Sequence, residues 1–418
     1  MKKFISNFIS SPLEYLFFLY LYIAQFYYSY RYILRVNSTT TSPTYGHTSI
    51  VEEVMKYVIT AIFFLLFIII IFISKKYKDR YKKIFSLKAV KIIFYTTVLA
   101  ILYFIVDIVI QHGISFHLIK TSVPYDYMFK FLVFIPVVFV SPVIFMNKGS
   151  IKYWMKFLYI SMFFQFAYTL VQLGLLITIH RYPALGYPGG SIRFGGGWDD
   201  PNGVSLFYLL FLVFLIFEDK LKASYKYIMI LITIFLIYLA LSFTTLLLVF
   251  LFCIFLLFIK KYKQSIFTLA SLIGIFLISL IIPNYFKNNF LFKYRSAGVH
   301  IAEIVKFHHS GSVYFPLVYK IFGGKVAIFM ENFYRQLYHN FGIVGFIFLA
   351  IPLCYLIYVY FMKIRLQRKA DFFSFSAFIF IIVFGIGNLG LPYFEIFPVN
   401  VFLWVMCGVL IASLSTSS

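Results

Sequence analysis

The sequence predicts an all-α, polytopic integral membrane protein of about twelve transmembrane helices, with both termini in the cytoplasm. Three observations predict it. Only 12% of the 418 residues are charged, 62% are hydrophobic, and the mean hydropathy is +0.92. A soluble domain carries roughly 25% charged residues, so a soluble fold is excluded. Apolar runs of about 18 or more residues recur from end to end, the signature of membrane-spanning helices. Finally, the basic residues behind the formal charge of +23 cluster in short runs between apolar segments. That placement is the mark of membrane topology, not of a nucleic-acid patch, so no nucleic-acid partner is expected.

The first apolar run, Leu13–Ile33, follows Met1-Lys2-Lys3. It is too long and too Tyr-rich for a signal peptide and lacks a small-residue cleavage site, so it is expected to be a retained helix. Further helices are expected at about 54–74, 90–110, 129–147, 154–179, 204–218, 226–242, 244–259, 265–283, 341–362, 372–388 and 396–414. The run from Tyr227 to Ile259 exceeds the roughly 20 residues that one crossing needs. Lysines flank both of its ends, so both ends belong on one side and the run must be a hairpin turning near Ser242-Phe243-Thr244-Thr245. Cys253, Cys354 and Cys407 each fall alone in an apolar run, which gives no disulfide framework and no metal spacing.

Orientation follows from the Lys and Arg of short loops, which favour the cytoplasm. With the N-terminus inside, alternate loops hold Lys75-Lys76-Lys78-Arg80-Lys82-Lys83, Lys148-Lys152, Lys220-Lys222, Lys260-Lys261-Lys263 and Lys363-Arg365-Arg368-Lys369. The loops between them hold few: Lys120 in one, Arg181 and Arg193 in another, none near Asn388–Glu395. The chain then reads as one membrane domain, 1–418, with two sizeable outer loops at about 180–203 and 284–340, the second just before the last three helices. No internal repeat and no low-complexity linker interrupts it.

Polar chemistry concentrates in those two loops. Arg193-Phe194-Gly195-Gly196-Gly197-Trp198-Asp199-Asp200-Pro201-Asn202 packs an arginine, three glycines, two carboxylates and an amide into ten residues before a helix. Glycine permits close backbone approach, and arginine offers a planar fork suited to phosphate. Asp200-Pro201 also reads simply as a capped helix start. For Arg193 a functional role is favoured, because a cation beside the bilayer is costly unless paired. The second stretch, Glu331-Asn332-Phe333-Tyr334-Arg335-Gln336-Leu337-Tyr338-His339-Asn340, closes the larger loop. Glu331, Arg335 and His339 recur every four residues and would share a helix face. Such a face is either an ion-pair ladder in solvent or a site holding a base and a phosphate-binding group. Gly342 and Gly345 fit close helix packing.

Weaker candidates complete the list. Arg295, Lys287 and Lys293 would attract a polyanion or stand as solvated charges. Asp107 caps or pairs late in its helix, and Glu52-Glu53 stand in the first outer loop. His308-His309 lack a third ligand, and no metal or other cofactor is expected.

Both stretches resemble the O-antigen ligase and polymerase superfamily. Its members often carry Arg-Leu-Ser-Gly-Thr-Phe-Gly-Asn-Pro-Asn before a transmembrane helix. Arg193 to Asn202 has that length, with Arg193, Pro201 and Asn202 matching, Trp198 in place of the aromatic and Asp200 in place of the first Asn. Ligases also carry His-Asn, nine residues, then Gly-x-x-Gly after their large loop; Asn332, Gly342 and Gly345 keep that spacing, with Glu331 where the ligase histidine stands. His339, eight residues later, is not its equivalent. The superfamily often opens the helix after the second half-turn with Ser-Arg, whereas Ser242 is followed here by Phe243. The resemblance is nearest the Wzy-type repeat-unit polymerases.

The resemblance implies a GT-C-like glycosyltransferase of the bacterial inner membrane. It would join undecaprenyl-diphosphate-linked oligosaccharide repeat units into O-antigen or a related surface polysaccharide at the periplasmic face. A chain-length regulator and a flippase would be its partners. Implied roles are Glu331 as catalytic base with His339 in reserve, and Arg193, Arg295 and Arg335 against the diphosphate. Asp200, Asn202 and Asn332 would complete the substrate-binding set. Three rivals stand beside this reading, one of them a membrane sensor or structural protein, which would need neither Arg193 nor Glu331. A ligase would transfer finished glycan to a lipid acceptor. A flippase of lipid-linked sugars would favour charges inside several helices, which are sparse here.

Overall fold

The computed structural model describes residues 11–27, 29, 50–112, 137–179, 193–198, 200–281, 333–367, 371–389 and 397–415. These are all helix and connecting turn. Thirteen α-helices lie among them: α1 (Pro12–Phe26), α2 (Ile50–Ile73), α3 (Lys75–Ser86), α4 (Lys88–His112), α5 (Val137–Phe145), α6 (Gly149–Ile179), α7 (Pro201–Phe217), α8 (Ala223–Ala240), α9 (Phe243–Phe258), α10 (Tyr262–Ile281), α11 (Phe333–Gln367), α12 (Phe372–Gly387) and α13 (Val399–Ser415). Within α2, α6, α8 and α10, the segments Met55–Ile73, Gly149–Gly174, Ala223–Ala240 and Tyr262–Ser279 are long and apolar enough to cross a membrane. Helices α7, α9, α12 and α13 are equally apolar but shorter. The architecture is that of a polytopic membrane protein.

Three helices depart from the sequence expectation. The basic run after Ile73, expected as a loop, is the helix α3. Lys, Arg and Tyr are compatible with helix, no Gly or Pro interrupts them, and Tyr77 and Ile84 recur seven apart to form one buried face. Helix α11 begins at Phe333, eight residues before the expected 341, because nothing between Phe333 and Phe341 breaks a helix. It thereby takes Arg335 and His339 out of the large loop. Helix α6 likewise starts at Gly149 instead of about 154.

The chain divides into two compact units, 18–59 with 152–301, and 1–17 with 60–151 and 302–418. In the first, α7 is the centre: every residue from Val204 to Phe217 is buried. A helix that is apolar all round belongs inside a bundle. Helices α8 and α10 run parallel, since Tyr227 meets Phe267 at one end and Tyr238 hydrogen-bonds Ser279 at the other. Helix α9 returns against α10, where Ser265 Oγ donates to the Cys253 carbonyl at 2.8 Å. So α8 and α9 are antiparallel, and the expected hairpin turns at Leu241, in the left-handed region at φ 47, and Ser242.

In the other unit, α4 packs on α11, and α5 and α12 pack on α13. The α5–α13 approach is close: a Cβ on Gly408 would lie 1.7 Å from Ser141 Oγ. Glu14 of α1, 2% exposed, takes hydrogen bonds from Tyr77 Oη, Arg80 Nη1 (3.3 Å) and Asn147 Nδ2 (3.4 Å). That satisfies a buried carboxylate and pins α3 to its unit. Cys253 and Cys407 are packing residues as expected, whereas Cys354 is exposed.

Candidate functional site

The Arg193 segment is folded into the first unit as an internal turn, not a surface loop. Phe194 N–H donates to the Leu239 carbonyl at 3.2 Å, which attaches the segment to the last turn of α8. Gly196 then takes φ +53, a conformation that glycine adopts without steric cost. Gly196–Trp198 form a single 3-10 turn. Both Gly196 and Gly197 are crowded: a Cβ on the first would lie 2.3 Å from Gln165 Oε1, and one on the second 2.9 Å from Ser29 Oγ.

Side chains of α6 and of Ser29, just beyond α1, hold this turn by its backbone, and Trp198 ties it to α1. Gln165 Oε1 accepts from Gly197 N–H at 2.7 Å, and Gln172 Nε2 donates to the Gly196 carbonyl at 3.1 Å. Ser29 Oγ donates to the Gly197 carbonyl at 3.1 Å, and Trp198 Nε1 to the Gln25 carbonyl at 2.8 Å. The second atoms of both carboxamides, Gln165 Nε2 and Gln172 Oε1, are buried without a hydrogen-bond partner among the described residues. Ser161, Gln165, Thr169 and Gln172 are all buried, while Phe163, Phe164, Leu170 and Val171 of the same helix are exposed. Helix α6 is therefore polar inward and apolar outward, as a lipid-facing helix that lines a polar interior must be.

Beyond the turn, Asp200 is the N-cap of α7. Its Oδ1 accepts from Asn202 N–H at 3.0 Å, and Pro201 occupies the first helical position. The reading of Asp200-Pro201 as a helix start therefore holds. Arg193 is 1% exposed. Its Nε donates to the Ala240 carbonyl at 3.1 Å and its Nη2 to Asn202 Oδ1. The guanidinium thus ties the C-terminal end of α8, where carbonyls lack helical partners and favour a cation, to the N-terminal turn of α7. Ser205 Oγ donates to the Asn202 carbonyl and pairs with Thr245 Oγ1, both at 2.7 Å, which brings the start of α9 into the cluster. Burial pushes the Asp200 carboxyl above its ordinary value, while the Arg193 guanidinium and the backbone N–H groups of Asn202 and Gly203 oppose that shift.

The opposite end of the unit gathers the basic turns. Lys226 Nζ donates to the Ile216 carbonyl at 3.3 Å, and Lys261 pairs with Asp219 at 3.4 Å. The Arg193 segment and the lysine-bearing turns thus stand at opposite ends of one bundle.

Of the residues singled out from sequence, Arg193, Asp200 and Asn202 are brought together. Arg335 and His339 lie one turn apart on α11. Glu331, Asn332 and Arg295 lie outside the described residues, as do Lys287, Lys293 and His308-His309. Sequence reasoning missed Gln165, Gln172, Gln25 and Ser29. For the first two the signal was present: polar residues at 161, 165, 169 and 172 recur on one helical face of an otherwise apolar run. Among the described residues, no three His, Cys, Asp or Glu side chains are grouped to hold a metal. No family model, curated protein or solved structure matches the chain.

Proposed function

We propose that this protein is a membrane glycosyltransferase that joins polyprenyl-diphosphate-linked oligosaccharide repeat units on the non-cytoplasmic side of a bacterial inner membrane. The observation that carries the reading is the convergence of Arg193, Asp200 and Asn202 on one turn, at the end of the bundle opposite its lysines. The positive-inside rule places those lysines in the cytoplasm, with both termini. The converged polar groups then face the other side, where a lipid-linked sugar presents its head group.

In this reading the hydroxyl oxygen of an acceptor repeat unit attacks the anomeric carbon of the donor. The carbon–oxygen bond to the diphosphate breaks, and the lipid diphosphate departs with the electron pair. Glu331 receives the hydroxyl proton, with His339 in reserve. Arg193, Arg295 and Arg335 offset the charge that develops on the leaving group. Buried among Asn202 and Ala240, Arg193 acts through its field and by holding the turn, not as an exposed clamp. Asp200, Asn202 and Asn332 shape the surrounding polar surface.

Deleting the gene is the deciding experiment, read as an electrophoretic ladder of surface glycan. Loss of a polymerase leaves surface lipid bearing a single repeat unit. A full-length ladder stranded on the lipid carrier identifies a ligase instead, and an unchanged ladder removes the enzymatic reading. In the complemented strain, Glu331→Gln is expected to slow chain extension roughly 100- to 10,000-fold, the range of a well-placed base. Arg193→Lys is expected to impair extension while the protein still inserts, because lysine keeps the charge but loses the fork. Normal polymer length in Glu331→Gln removes that residue from the mechanism.

A further inference from the structure

We infer that α3 is a docking surface for anionic phospholipid head groups, a role independent of the glycosyltransferase reading. Helix α3 has two faces of opposite character. Tyr77 and Ile84 are buried, and Arg80 turns inward to Glu14 and to the Val143 carbonyl at 3.2 Å. The remaining cations do not turn inward. Lys75, Lys76, Lys78, Lys82 and Lys83 are all exposed, and Lys88 extends the row past the helix end.

Position commits this face to a lipid surface. No linker separates α3 from the apolar helices on either side: Ser74 alone joins it to α2, and Leu87 alone joins it to α4, both in extended conformation. On α2, the exposed apolar residues Ile62, Leu65, Ile69, Phe72 and Ile73 run to within two residues of Lys75. The oily surface that meets acyl chains therefore passes directly into a cationic surface at the depth where head groups lie. A basic patch for nucleic acid needs no such apolar border, and its cations need not sit at a membrane boundary.

Internal geometry also turns Lys75, Lys78, Lys82 and Lys83 to the outside, while Lys76 Nζ lies 5.2 Å from the centre of the Tyr77 ring. Lys78 and Lys82 stand four apart on the helix and repel each other, as like charges at that spacing do. Within α3 the single acidic residue is Asp79, itself exposed. The Glu14 carboxylate, which reaches this helix, is taken by Tyr77 and Arg80. A phosphodiester-bearing leaflet supplies counter-charge to this exposed face.

The test uses the full-length protein in nanodiscs of phosphatidylcholine alone or with phosphatidylglycerol, read by thermal stability and by lipid retained after transfer to detergent. Wild type is expected to gain stability with phosphatidylglycerol and to retain it preferentially, both effects fading with added salt. In a variant with Lys75, Lys76, Lys78, Lys82 and Lys83 each replaced by Gln, stability in phosphatidylcholine alone should match wild type. Its preference for phosphatidylglycerol should fall by roughly fivefold per lysine removed. An equal response to phosphatidylglycerol in the two proteins overturns the proposal. So does a wild type that ignores the anionic lipid but retains RNA through the same lysines.

Discussion

Gln165 and Gln172 act as a pair of amide hands on a turn that has few other means of satisfying its backbone. A buried peptide N–H left without an acceptor costs about 1–3 kcal/mol. Gln165→Leu, which orphans the Gly197 N–H, is therefore expected to destabilise the protein by that amount in thermal or denaturant melts. Gly196→Ala should cost at least as much, since it combines a positive φ with a methyl group placed against the Gln165 oxygen. Asp200 gives a prediction of a different kind. Its carboxyl is pushed up by burial, so its ionisation works against the fold as pH rises through the shifted value. The cap needs only an acceptor. Asp200→Asn should keep the helix start and gain stability relative to wild type as pH rises above the ordinary carboxylate range. Asp200→Ala, which loses the cap as well as the charge, should be about 1 kcal/mol less stable than the Asn variant at any pH. A wild-type melting profile with the same pH slope as the Asn variant would show that Asp200 does not titrate in that window.

At the level of helices, what could be read in advance depended on how local the deciding interaction is. The hairpin of α8 and α9 was readable because the lysines that bracket it lie within the same stretch of chain. The capped start of α7 was readable for the same reason: Asp200, Pro201 and Asn202 are consecutive. Helix α3 was not. Counting its charges gave an expected side of the membrane but concealed that Tyr77 and Ile84 share a face, and the contact that pins it, Glu14 to Arg80, spans 66 positions. The extension of α11 was missed because hydropathy falls between Phe333 and Asn340, while helix continues wherever no residue forbids it. In the candidate site, Arg193 was found by its charge. Gln165 and Gln172, which hold Gly197 and Gly196, were missed because their contacts with the turn span 32 and 24 positions.

For the molecule as a whole, orientation in the membrane governs everything proposed about chemistry. Accessibility labelling tests it directly. In a background with Cys253, Cys354 and Cys407 replaced, Lys222→Cys and Lys263→Cys are expected to react with an impermeant maleimide only after the cells are opened. His309→Cys should react in intact cells. The reverse pattern would put the Arg193 turn in the cytoplasm, where the sugar head groups of a flipped lipid carrier are absent, and the polymerase reading would fall with it.

The Leu241–Ser242 corner has one more consequence, for biogenesis. Its flanking helices, α8 and α9, end there without a single charged side chain to hold them on the far side. Neither helix has an anchor of its own at that end, and in the proposed orientation the lysines at the other end stay in the cytoplasm. In that orientation the two are expected to insert as a joined pair, led by a corner neutral enough to cross the hydrocarbon.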